Sequence, residues 1–221
     1  MIEKKIAVPG DLLSDDPNVS GEGTYVEDGK VYAMKYGVVM DVRDKLKILP
    51  LGGKYVPSRN DIVVGVIMDI TYSNWIVDIN SPYEALLHVS EHPERIGFGE
   101  LGKYLRIGDL IIARVKDVDP AMKVELTLDG VNLGVLRNGR VIEIVHSKIP
   151  RLIGRSGSMI NMVKKECQCS IFVGQNGKIW VNGDEDKMAL ALKTITKIEK
   201  EAHTSGLTDR IAEFIKEGRG E

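Results

Sequence analysis

The sequence predicts a mixed all-β plus α+β molecule of more than one domain, and three features predict it. Asp28-Gly29 lies between alternating apolar runs in "GTYVEDGKVYAMKYGVVMDV", the pattern of a hairpin in a small β domain. Five strand-like runs follow at short spacing between residues 57 and 130. Beyond residue 140 helical spacing joins the alternation, in the order strand, helix, helix, strand, strand, helix. A chain of 221 residues with 23 glycines and 8 prolines suits many short strands and turns, and its length suits one to three domains.

Each segment has its own logic. Residues 1–56 read as short strands, and Pro50, Gly52, Gly53 and Pro57 end them, because a central strand tolerates no such cluster of breakers. Residues 57–130 supply "DIVVGVIMDI", "NWIVDI", "EALLHV", "DLIIARVKDV" and "KVELTL", which suit a five-stranded OB barrel with an irregular stretch between its third and fourth strands. Residues 131–221 form the last domain, in which "GRVIEIVHSKI" from Gly139 alternates as a strand. Then "SGSMINMVKKEC" takes helical spacing with Ser158 as its cap, and "CSIFVG" and "KIWVNG" form a hairpin across Gln175-Asn176-Gly177. "DEDKMALALKTITKIEKEA" is a long amphipathic helix with acids first and lysines last, as the helix dipole favours. "GLTDRIAEFIKEGR" adds a short closing helix.

Several chemistries are excluded. Cys167 and Cys169 are too close for an unstrained disulfide, and no second pair completes a structural zinc site. No run of eighteen apolar residues and no leader-like segment is present, so the expected setting is cytoplasmic, off the membrane. "HVSEH" spells an inverted zinc-protease pattern through His88, Glu91 and His92, but Pro93 and the strand before His88 deny it a helix. "GFGELGK", Gly97 to Lys103, resembles nucleotide-binding loops without the strand and helix they need, and Tyr104 stands where magnesium needs a hydroxyl. No catalytic residue, metal or cofactor is expected.

Charge points elsewhere. Residues 57–130 carry seven basic and twelve acidic side chains, whereas residues 140–178 set Arg140, Lys148, Arg151, Arg155, Lys164, Lys165 and Lys178 against only Glu143 and Glu166. Polyanion binding follows local potential. Within this basic segment "IPRLIGRSGSMI" places Gly154 and Gly157 three apart. Glycines there let phosphates approach backbone N–H groups at the start of the next helix, with Arg155 and Ser156 adding charge and a hydroxyl. Lys148 and Arg151 precede the loop, and Ile153 and Ile160 would form an apolar floor for bases. The loop is expected to be exposed, so that aspartate at either glycine would disturb binding more than folding. In the barrel segment Tyr72, Trp75 and Tyr83 either stack bases or fill the core, and His88, after two leucines, is expected to be half-buried on its strand or a nucleic-acid contact rather than a catalyst.

The βααββα order with a GxxG loop between its first two helices resembles a type I KH domain over about sixty-five residues. "GVIMDITYSNWIVDINSPYEALLHVSE" and "YLRIGDLIIARVKDVDPAMKVELTL" resemble the RNA-binding OB repeat named after ribosomal protein S1. That resemblance places Tyr72, Trp75, His88, Asp119 and Lys123 on or near the RNA face, with the aromatics one residue off the usual register. The whole order, with "VPGD", "GEGTY", "GKVYA" and "GGKYVPSRNDIVVG", resembles the KH-containing RNA-binding cap subunit of the exosome, especially its archaeal form. The resemblance implies a non-catalytic subunit that holds single-stranded RNA and feeds its 3′ end to a hexameric ring of ribonuclease-PH-like proteins. Residues 1–56 would dock on the ring in three copies, alone or mixed with the zinc-ribbon sister subunit. The alternative is a stand-alone KH/OB RNA-binding factor in translation or transcription.

Overall fold

The computed structural model describes residues 5–42, 44–97, 99–204 and 206–219, so Met1 to Lys4 and Phe98 of the glycine-rich loop lie outside the described residues. The chain divides into two compact units, residues 1–53 and residues 54–221. The first contains β1 (Ile6–Ala7), β2 (Leu12–Ser14), β3 (Thr24–Glu27), β4 (Lys30–Ala33), β5 (Gly37–Val42) and β6 (Lys45–Pro50). They form two three-stranded antiparallel sheets, in the orders β1-β5-β6 and β2-β4-β3. Asp28, at φ 48°, and Gly29, at φ 73°, make the tight β3–β4 turn, as a two-residue hairpin turn with two positive φ angles requires. The core of this unit is small, with Ala7, Ala33 and Ile48 buried together and Leu13 and Val39 packed against them.

The second unit begins with the barrel strands β7 (Ile62–Ile70), β8 (Asn74–Asp78), β9 (Ala85–His88), β10 (Leu110–Val118) and β11 (Val124–Thr127). Their order is β11-β9-β8-β7-β10, and β11 also pairs with β10, so the sheet closes. The β9–β11 pair is parallel and the others are antiparallel. All five strands coincide with the runs expected from the sequence. Alternate residues fill the interior, including Ile67, Trp75, Val77, Leu87, Ile111 and Leu126. A sixth strand, β12 (Gly134–Leu136), pairs with the start of β10 although it lies beyond residue 130.

Next come β13 (Arg140–Glu143), α1 (Ile149–Ile153), α2 (Ser158–Cys167), β14 (Ser170–Val173), β15 (Lys178–Asn182) and α3 (Glu185–Lys200), closed by α4 (Leu207–Arg219). The sheet runs β13-β15-β14, all antiparallel, so the βααββα order is the one expected. Two local readings differ. The strand expected over "GRVIEIVHSKI" stops at Glu143, and His146–Lys148 instead form a 3-10 turn leading into α1. Ser158 is the first residue of α2 rather than its cap, which is Gly157 in a left-handed conformation. The helices bury Leu152, Val163, Ile195 and Ile211 against Ile179 and Val181 of the sheet.

The β14–β15 turn reaches into the barrel. Gln175 N–H donates to Ile62 O at 2.9 Å, and Ile62 N–H donates to Gln175 Oε1 at 2.6 Å. Asn176 Oδ1 accepts from Val64 N–H at 3.2 Å, while its Nδ2 donates to Val64 O at 2.8 Å and Ile79 O at 2.9 Å. The turn thus serves the backbone groups of β7 that β8, ending at Asp78, no longer reaches. Lys178, with a side chain only 2% exposed, is held there by Asp78 at 2.5 Å and Glu143 at 3.6 Å.

Candidate nucleic-acid interface

The double-glycine corner is built by α1 and α2. Pro150 sits in the first turn of α1, which ends at Gly154 with φ 74° and ψ 178°, a conformation that only glycine adopts easily. Arg155–Gly157 then make a 3-10 turn in which Ser156 takes φ 49° and ψ 32°, and Gly157 caps α2. Gly154 N–H is bonded to Pro150 O and Gly157 N–H to Gly154 O. The N–H groups of Arg155 and Ser156, both exposed, have no partner among the described residues. An open pair of donors at the positive end of a ten-residue helix suits a phosphate.

The surrounding charge is partly as expected. Lys148, Arg151, Arg155, Lys164 and Lys165 form no ion pair among the described residues, and Arg151 is steadied by donating to Thr204 O at 2.7 Å. Lys178 must be subtracted from the surface charge, because it is buried and paired. Arg140 is tied to Glu185 at 2.7 Å. Ile160 belongs to the core at 6% exposure, whereas Ile153 is half-buried. The structure also corrects the expectation that either glycine can be replaced at little cost to folding. A Cβ at Gly154 would sit 2.9 Å from both Met159 N and Met159 Cβ, so the glycine is there for close approach of chain to helix as well as for ligand access.

The barrel offers a second locus, a groove of about 410 Å³ across β8, β9 and the β10–β11 hairpin. His88 and Lys123 meet in it, beside Asn74 and Ser90. His88 Nδ1 accepts from Ser90 N–H at 3.2 Å and lies 2.7 Å from Ser90 Oγ, which fixes the ring through Nδ1. Asp119 is turned to the hairpin instead, accepting from Lys123 N–H at 2.7 Å. Trp75 does not take part. Its ring is fully buried, with Nε1 donating to Leu105 O at 3.3 Å, so it fills the core and offers no face to a base. A one-residue displacement along a strand exchanges inside for outside, and Tyr72, three residues earlier in the turn, is 73% exposed. Tyr72 and Tyr83 lie outside the groove lining.

Sequence reasoning missed Asn74, Lys116 and Glu125 as groove residues and gave Glu91 only to a motif that does not form. Glu91 Oε1 lies 2.5 Å from Lys116 Nζ. Burial alone would raise the Glu91 pKa, but hydrogen bonds from Lys116 and Thr127 bring it below the usual carboxylate value. His92 packs its ring 5.9 Å from Trp75 and 5.6 Å from Tyr104, and its Nδ1 accepts from Glu94 N–H. The available signal was the alternation of β10 and β11, which turns Lys116 and Glu125 outward.

A closed barrel with a polar groove, joined to a βααββα domain with a double-glycine corner, defines the class of S1–KH proteins. Family models agree: "Exosome complex exonuclease RRP4 N-terminal region" matches residues 6–40, "RRP4, S1 domain" residues 54–95, and "KH domain" residues 139–187. The chain is 52% identical over 218 residues to the exosome complex component Rrp4 of Methanosarcina mazei, covering 99% of this chain and 84% of that one. It is 43% identical to the Rrp4 components of Methanothermus fervidus, covering 96% of each chain, and of Pyrococcus furiosus, covering 96% of this chain and 83% of that one. A crystal structure assigned as an exosome complex RNA-binding protein superposes with a TM-score of 0.71 at 40% identity, over 76% of this chain and 98% of the other. The chain belongs to the Rrp4 family of exosome components.

Proposed function

We propose that this protein is a non-catalytic RNA-binding subunit of the exosome that caps a ring of ribonuclease-PH-like subunits, captures single-stranded RNA and feeds its 3′ end inward. The observation that carries the reading is the pair of N–H groups at Arg155 and Ser156 that have no partner among the described residues, flanked by cations that no carboxylate there neutralises. Lys148, Arg151, Gly154 and Gly157 complete the phosphate contact, Ile153 lies under the bases, and His88, Lys123 and Tyr72 act on the barrel. Labour divides among residues 1–56 on the ring, 57–130 at the entrance and 131–221 outside, with three copies per ring in the cytoplasm. Supporting the ring contact, exposed large apolar residues gather in the first unit, among them Ile6, Val8, Val26, Met34, Tyr36 and Met40, as on surfaces that meet a partner. Among the described residues, no helix is long and apolar enough to cross a membrane.

The test leaves both glycines in place and changes the residues between them, Arg155→Asp with Ser156→Asp, since aspartate tolerates the left-handed backbone at position 156. The double variant is expected to melt with the parent and to bind single-stranded RNA on the order of tenfold or more weakly. Unchanged affinity would remove the loop from the RNA path. Co-purification with ribonuclease-PH-like subunits separates the ring cap from a stand-alone factor, and turnover of RNA by the purified chain with phosphate or divalent metal would contradict a non-catalytic role.

A further inference from the structure

The two loci differ in a way that the fold itself sets up. At the KH corner Lys148, Arg151 and Arg155 form no ion pair among the described residues. In the barrel groove two lysines, Lys116 and Lys123, face two carboxylates, Glu91 and Glu125. Lys116 is the extra residue of a β-bulge, between the pairs Val115↔Leu126 and Asp117↔Glu125. Strand alternation keeps Lys116 on the outer face, and its ammonium reaches Glu91 there while the side chain stays 48% exposed. Glu91 is only 19% exposed and also receives the Thr127 hydroxyl. Glu125 is exposed on β11 and lies near enough to Lys116 to act on its charge. Exposed ion pairs add little to stability, so such pairing in a groove that faces solvent calls for another explanation.

We propose that Glu91 and Glu125 act as an internal brake, neutralising the groove so that an RNA phosphate is met weakly and passed on rather than held. The inference rests on the RNA-binding reading and names how that same site is regulated. A phosphate entering the groove must compete with Glu91 for Lys116 and meets the charge of Glu125, which also lines the groove. Affinity then resides at the KH corner, while the barrel contacts break easily as the strand advances.

The test uses the full chain and a labelled ten-nucleotide single-stranded RNA, with affinity, dissociation rate and salt dependence measured for Glu125→Gln and for Glu91→Gln with Glu125→Gln. Glutamine keeps an acceptor for Lys116 and Thr127. Each change is expected to tighten binding by about threefold or more at low salt and to slow dissociation, and the double change, which frees Lys116 from Glu91, to steepen the dependence of log affinity on log salt by about one. Should the Glu91 variant fold poorly, Glu125→Gln, at an exposed position, decides alone. Unaltered or weaker binding in the glutamine variants, with Lys123→Ala still weakening it, overturns the brake while leaving the groove an RNA site. If Lys123→Ala and the glutamine variants all bind as the parent does, the groove lies off the RNA path and the brake falls with it, whereas the KH reading stands or falls on the loop variant.

Discussion

At the scale of single residues, Gly154 and Gly157 look interchangeable in sequence but do unlike work. Gly154 combines φ 74° and ψ 178° with a Cβ position 2.9 Å from the Met159 backbone. Gly157 has φ 80° and ψ 9°, and its added Cβ would meet only the Asn161 side-chain amide at 3.2 Å. Thermal denaturation should therefore rank the alanine variants, with Gly154→Ala losing about 2 kcal/mol or more and Gly157→Ala about 1 kcal/mol. Equal melting temperatures for the two would contradict the packing argument. The motif itself was legible because spacing and local charge are sequence properties. The burial of Trp75 and Lys178 was not, because which way a strand residue faces is decided by register across the barrel and by a partner domain a hundred residues away.

At the scale of elements, the barrel strands and the KH order followed from apolar period, since each strand buries one face and each helix one stripe. β12, with three residues and little apolar period, did not, and α1, five residues with a proline in its first turn, was legible only as a place in the βααββα order. The β14–β15 turn was legible as a turn and illegible as a junction. Asn-Gly satisfies turn geometry, and nothing local reveals that Asn176 binds Val64 and Ile79 across to the barrel. Replacing Asn176 with alanine would leave Val64 N–H, Val64 O and Ile79 O without those partners in a fully buried place. At about 1–3 kcal/mol per unpaired buried group, the loss should be about 3 kcal/mol or more. Hydrogen exchange should speed at the Val64 amide, and at Ile62 through the neighbouring Gln175. Protection at both amides equal to the parent's would show that the turn is not what closes the β7 edge.

For the molecule as a whole, the apolar core is unevenly distributed. Among the described residues the barrel and KH clusters each gather seventeen buried residues, whereas the first unit buries Ala7, Val31, Ala33 and Ile48 and exposes Ile6, Val8, Val26, Met34, Tyr36 and Met40. About fifty residues with so slight a core are marginal by themselves. A surface selected to meet a ring would have this character, because apolar groups kept for a partner are unavailable to the interior. The chain should therefore unfold in two steps, residues 5–53 first, as read by hydrogen exchange along a temperature ramp. Adding ribonuclease-PH-like ring subunits should raise the first step and leave the second in place, since a ligand stabilises only the state it binds, by about 2.7 kcal/mol at a hundredfold excess over Kd. RNA should do the reverse, protecting α1, α2 and the groove strands while the first step stays where it was. A single transition that moves as one with either ligand would mean that the two units fold together and that the small core is not the weak point.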